Sequence, residues 1–73
     1  HPIAFLRFAL NHFGLTIQQE AGKIISLEGG YTIEIESERL FKLLQGGQVI
    51  APFDDVEELC NFIKMDLAQH GQS

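Results

Sequence analysis

Paired cysteines are missing from this chain of 73 residues, which contains only Cys60. No disulfide can therefore form within the chain, and one thiol in an apolar run suits a reducing compartment better than a secreted disulfide scaffold. Stability must come from a hydrophobic core, and a chain of this length has room for one core only. We expect a single small domain in which the six phenylalanines supply much of the buried area.

Positive charge is scarce and dispersed. Ten acidic residues face five basic ones, which gives a formal net charge of −5. Proteins that bind nucleic acid or anionic membranes usually carry clustered lysine and arginine, and no such cluster occurs here. We therefore expect neither a direct nucleic-acid partner nor a membrane partner.

Long apolar runs are also missing, since no stretch approaches the roughly 20 residues that cross a bilayer. No charged-then-apolar leader precedes the first helix, so we expect a soluble, cytoplasmic protein. The chain begins with His1-Pro2 and has no initiator methionine. Removal of that methionine normally requires a small second residue, which His is not, so we also expect either an excised domain of a longer protein or a trimmed chain.

Both ends of the chain show helical periodicity. Residues 2–13 place apolar side chains on a helical stripe, with Pro2 suited to the first turn and Gly14 to a left-handed stop. Residues 54–68 form a second such pattern, which begins with acidic capping residues. Residues 69–73 are predicted to be a polar tail.

Glycines divide residues 15–52 into short β-rich runs, which predict a meander. Residues 37–45 fit either a short helix or another strand, and the pair Gly46-Gly47 between two apolar runs favours the strand and a hairpin. The predicted fold is α+β: an N-terminal helix, an antiparallel meander of four to five short strands, and a C-terminal helix. Both helices are expected to pack on one face of the sheet.

Candidate catalytic and metal-binding residues are few. Cys60 lies on the apolar stripe of the second helix and is predicted to be a small buried hydrophobe with a raised pKa. The three histidines, His1, His12 and His70, lack the close spacing of metal ligands. Neither double glycine is followed by the residues of a phosphate loop. We predict no catalytic residue, no cofactor, no metal and no enzymatic activity.

Two groups of residues favour contact with a partner. Phe5 and Phe8 widen the apolar stripe of the first helix beyond what one face needs, and a small domain has little interior to hide both rings. Glu34 and Glu36 are predicted to stand on the outer face of the third strand, where they would form an acidic row for a basic partner. We therefore predict partner-binding roles for these four residues.

The sequence favours a non-catalytic protein-interaction or accessory module, which binds another protein or self-associates through the first helix or a strand edge. An alternative is a small acidic regulator that occupies the basic nucleic-acid site of another protein. A further alternative is a fragment of a larger enzyme. The order of elements resembles that of double-stranded-RNA-binding domains, but the basic residues that those domains place on phosphates are missing.

Overall fold

The computed structural model describes the backbone of residues 2–70 and the side chains of residues 3–69. Two helices flank five strands, and the elements follow the predicted order. They are α1 (Pro2–His12), β1 (Ile17–Ala21), β2 (Ile24–Leu27), β3 (Tyr31–Ser37), β4 (Leu40–Gln45), β5 (Gln48–Phe53) and α2 (Val56–His70). The predicted α+β class, with both helices on one face of an antiparallel sheet, is confirmed.

The strands form one sheet in the order β1-β2-β3-β4-β5, and each strand pairs with its neighbour in an antiparallel sense. Residues 37–45 therefore comprise the last residue of β3, a two-residue turn and strand β4, as the hairpin alternative predicted. β5 has a neighbouring strand on one side only. Pro52 is tolerated there because an edge strand can lose one backbone donor without breaking a ladder.

The core lies between one sheet face and the two helices. In β3, Tyr31, Ile33 and Ile35 are buried in alternation with polar residues that face outward, as the period of two requires. The helices contribute apolar side chains from one stripe each. The fully buried or nearly buried core consists of Leu6, Ala9, Leu10, Leu15, Ile25, Leu27, Tyr31, Ile33, Ile35, Phe41, Leu43, Val56, Leu59, Cys60 and Ile63.

Gly14 ends α1 with a φ of +75°, the left-handed conformation that the sequence predicted. Its N–H donates to the carbonyl of Asn11 at 3.0 Å, and the N–H of Leu15 donates to the carbonyl of Leu10 at 2.8 Å. This pair of hydrogen bonds is the Schellman arrangement, which satisfies carbonyls that the helix end leaves free. It turns the chain directly from α1 into the sheet.

The end of α2 differs from the prediction. The helix continues to His70, whereas a polar tail was predicted from residue 69. Gln69 and His70 are compatible with helix, and the first strong helix breaker after Asp54 is Gly71. The remainder of the predicted tail, residues 71–73, and His1 lie outside the described residues.

Candidate functional site

Helix α1 has two apolar faces, and the fold buries only one of them. Leu6 and Leu10 are completely buried against the sheet and α2. Phe5 and Phe8 lie on the neighbouring face, where 61% and 68% of their surface is exposed. The two rings predicted as contact residues are therefore free to meet a partner.

A cleft of about 280 Å³ opens between this face of α1 and the first turn of α2. Its walls are mostly apolar and aromatic. The lining residues are Phe5, Phe8, Ala9, His12, Phe13, Val56 and Glu57. A pocket for a drug-sized ligand or cofactor is usually about 300–1,000 Å³, so this cleft suits one or two inserted side chains better.

The aromatic wall of the cleft is organised by ring contacts. Phe8 and His12 stack with their ring centroids 6.3 Å apart and 15° between their planes. His12 meets Phe13 edge to face, with centroids 5.6 Å apart. Phe13 also packs against the core. The exposed Phe8 ring is therefore linked through His12 to the partly buried Phe13 ring, which limits the freedom of Phe8 before any partner binds.

The opposite wall is fixed by the start of α2. The Asp55 carboxylate accepts a hydrogen bond from the backbone N–H of Glu58 at 3.2 Å, which caps the helix as the sequence predicted. Phe53 in β5 contacts Phe62 in α2, with ring centroids 5.6 Å apart. The cap orients the first turn of α2, which carries Glu57, and the ring contact anchors the following turn of α2 to β5.

The electrostatics of the cleft are acidic. Asp54, Asp55, Glu57 and Glu58 are all exposed at the start of α2. Among the described residues, none of the four takes part in an ion pair. Arg7, the arginine of α1, is bound outside the cleft: its Nε donates to both carboxylate oxygens of Glu20 in β1, at 3.1 and 2.9 Å. That contact raises the pKa of Arg7.

The predicted acidic row on the sheet lies away from the cleft, on the face opposite the helices. Glu34 is half-buried there, with Ile24 and Lys42 as its cross-strand neighbours. Glu36 is the extra residue where the register of β3 and β4 shifts, and Lys42 lies 3.8 Å from its carboxylate. The structure thus does not bring these glutamates together with the phenylalanines, and a lysine stands beside both of them.

The outer face of the sheet is more apolar than alternation within β3 suggests. Val49 in β5 pairs with Leu44 in β4 and has 55% of its surface exposed. Ile50 is the extra residue of the bulge beside them, and Ile24 is also exposed. Sequence reasoning missed this band because it depends on which strands become neighbours.

Tyr31 and Cys60 are buried ionisable residues of the core, and both contribute to the fold. The Tyr31 hydroxyl donates to the Asp66 carboxylate and so links β3 to α2. Burial, followed by the hydrogen bond to Asp66 and its charge, raises the pKa of Tyr31 to about 12. Burial, assisted by the charge of Asp55, raises the pKa of Cys60 to about 11. The prediction of a buried Cys60 with a raised pKa is confirmed.

A metal site and a membrane span are not found in the described part of the chain. No group of three or more His, Cys, Asp or Glu side chains within residues 3–69 is placed to hold a metal ion. No helix in the same region combines the length and the apolar character needed to span a membrane. The cleft residues that sequence reasoning missed are Ala9, His12, Phe13, Val56 and Glu57. Helical spacing from Phe8 could have indicated His12, but the α2 residues depend on tertiary packing.

In comparisons with known proteins, the chain matches no protein-family model, no curated protein and no solved structure.

Proposed function

We propose that this chain is a non-catalytic protein-interaction module whose contact site is the cleft between α1 and α2. The observation that carries the proposal is the exposure of Phe5 and Phe8 beside a formed, largely apolar cleft. Neighbouring exposed aromatic rings around a concave surface are typical of contact sites, since aromatic residues are enriched at the centre of protein interfaces.

The two rings offer a useful amount of binding energy. A buried aromatic side chain removes about 150–250 Å² from water, so two rings that are roughly two-thirds exposed leave about 250 Å² available. At about 25 cal/mol per Å² this corresponds to about 6 kcal/mol before the cost of association. That cost is of similar size, so additional contacts around the cleft are needed for micromolar affinity or better.

The polar groups of the cleft also favour binding over catalysis. His12 and Glu57 are the polar side chains that line it, and Cys60 is enclosed in the core. A catalytic site normally needs several converging polar groups in a pocket deep enough to exclude water.

The test is selection from a random peptide library displayed on phage, with the domain immobilised. Each selected peptide is then measured against Phe5→Ser/Phe8→Ser and against Met65→Ser. Met65 is a matched control, because it is an apolar α2 residue with 66% of its surface exposed that does not line the cleft. We expect peptides that lose at least tenfold in affinity with the double variant and less than twofold with the control. Peptides that bind all three proteins equally would contradict the proposal.

A second candidate function, self-association, is favoured by the exposed apolar band of the outer sheet face. Val49 lies on an edge strand, and unpaired edges with exposed apolar residues are common points of contact between chains. Sedimentation velocity over a range of concentrations should then show a dimer that Val49→Lys dissociates. A monomer at high micromolar concentration would exclude this candidate and leave the cleft proposal intact.

A further inference from the structure

The two walls of the cleft differ in chemical character. Phe5 and Phe8 present aromatic rings from α1, whereas Glu57 presents a carboxylate from α2. A side chain that fits both walls needs an apolar stem and a cationic end. Lysine and arginine have this form, since their methylene stems cover apolar surface while the charged group remains at the rim. Arginine also stacks on aromatic rings.

We infer that the occupant of the cleft is a cationic amphipathic segment of another protein, which places a lysine or arginine between the phenylalanine rings and Glu57. This inference rests on the proposed function, because it assigns a class of partner to the same cleft. Glu57 is the acceptor for the cationic group, and the phenylalanine rings contact its stem and the neighbouring apolar residues of the segment.

The negative charge around the cleft is the reason for inferring a cationic partner. Capping accounts for Asp55, but Asp54, Glu57 and Glu58 add exposed charge of the same sign at the same end of α2. No described lysine or arginine forms an ion pair with them, and the arginine of α1 is bound to Glu20 in β1. A surface of one sign attracts partners of the opposite sign and accelerates their association.

The same charge argues against a second copy as the occupant. In a symmetric dimer the interface is the same patch on both subunits. Two copies of this cleft would therefore bring the acidic starts of both α2 helices together, and each chain carries a formal net charge of −5. Like charges placed together in this way disfavour the complex.

The experiment uses the peptides selected on the immobilised domain. We expect those that depend on Phe5 and Phe8 to be enriched in lysine or arginine next to apolar residues. For the tightest peptide, Glu57→Gln in the domain should weaken binding by about twofold to fivefold, the upper part of the range for one exposed ion pair. Glu38→Gln is the control, because it makes the same change in net charge at an exposed turn outside the cleft.

A matched peptide completes the design. Replacement of the basic residues of the peptide by glutamine should weaken binding about as much as Glu57→Gln does. When both changes are made, the loss of affinity should be smaller than the product of the two separate fold-losses. Added salt should weaken the original peptide more than the glutamine peptide.

The two proposals fail in different ways. Cleft-dependent peptides that are neutral or acidic, or that bind Glu57→Gln and wild type equally, would overturn the cationic partner and leave the interaction module standing. Peptides whose binding ignores Phe5→Ser/Phe8→Ser would overturn both.

Discussion

Raising the pH from neutrality to about 11 should remove a large part of the free energy of unfolding, because two groups in the core must stay protonated. Tyr31 and Cys60 ordinarily lose their protons at pKa values of 10.0 and 9.0, and in the folded protein these pKa values rise to about 12 and about 11. Both groups are acids, so the folded state holds their protons more tightly than the unfolded state does. Their contribution to stability is complete below the lower, unfolded values and is lost as the pH rises toward the folded ones.

The expected loss follows from the pKa differences. A difference of about two units corresponds to about 2.7 kcal/mol for one group. Cys60 is fully buried and should approach this figure, whereas the Tyr31 hydroxyl is part-buried and should contribute about 1–2 kcal/mol after screening by water. At pH 11 neither loss is complete, because this pH equals the folded pKa of Cys60 and lies below that of Tyr31, so the combined loss there is about 3 kcal/mol. A domain of this length has a total stability of about 4–11 kcal/mol, so the urea midpoint should fall by roughly half.

Urea unfolding followed by circular dichroism at a series of pH values measures this loss directly. The chain has one tyrosine and no tryptophan, so tyrosinate absorbance reports on Tyr31 alone. The control is Tyr31→Phe/Cys60→Ala, which should be about 2 kcal/mol less stable at neutral pH and lose much less stability on alkalinisation. The reasoning would be refuted if Tyr31 titrated near its ordinary pKa while the circular dichroism stayed native. It would also be refuted if the double variant lost as much stability as the wild type.

Two further comparisons test the packing. Gly29 has a φ of +87°, and a Cβ there would lie 2.9 Å from a methyl carbon of Leu67, whereas Gly30 has a φ of +82° and open space around it. Gly30→Ala should cost about 1–2 kcal/mol for the left-handed backbone alone, and Gly29→Ala should cost at least as much in urea unfolding, because a Cβ there must also displace the terminal methyl of Leu67; a smaller cost for Gly29→Ala than for Gly30→Ala would contradict the close approach to α2. Leu10→Ala should cost about 2–5 kcal/mol because Leu10 is fully buried. Phe8→Ala should change thermal stability by about 0.5 kcal/mol or less, and a large loss there would mean that the ring supports the fold.

The sequence predicted most of the fold because its local signals agree with one another. Gly14 ends a helix both by its conformational freedom and by its position after an apolar stripe, and Asp55 caps the next helix. Residues 37–45 were ambiguous because apolar positions three and four apart also occur in a short helix. Pairing with β3 and β5 decided for the strand, and such long-range pairing is not visible in local periodicity.

The candidate site was only half predictable, for a physical reason. Phe5 and Phe8 lie beyond the apolar stripe that α1 needs for packing, and this follows from the spacing of residues within a single helix. The other wall, which Glu57 and Val56 form, exists because α2 crosses near α1, and no local pattern encodes that crossing. The apolar outer sheet face was missed for the same reason, since Val49 and Leu44 become neighbours only through a bulged register.

The exposure of the phenylalanine face is not a requirement of the fold. In a two-layer domain each helix has one face to bury, and α1 uses Leu6 and Leu10 for that purpose. Polar residues at positions 5 and 8 would leave that packing intact and would make the protein less prone to associate without specificity. Exposed aromatic rings of this kind are expected to favour non-specific association and to contribute little to folding. Such a surface is expected where a partner covers it, and this expectation, with the carboxylate of Glu57 beside the rings, is the basis of our proposal of a cationic partner.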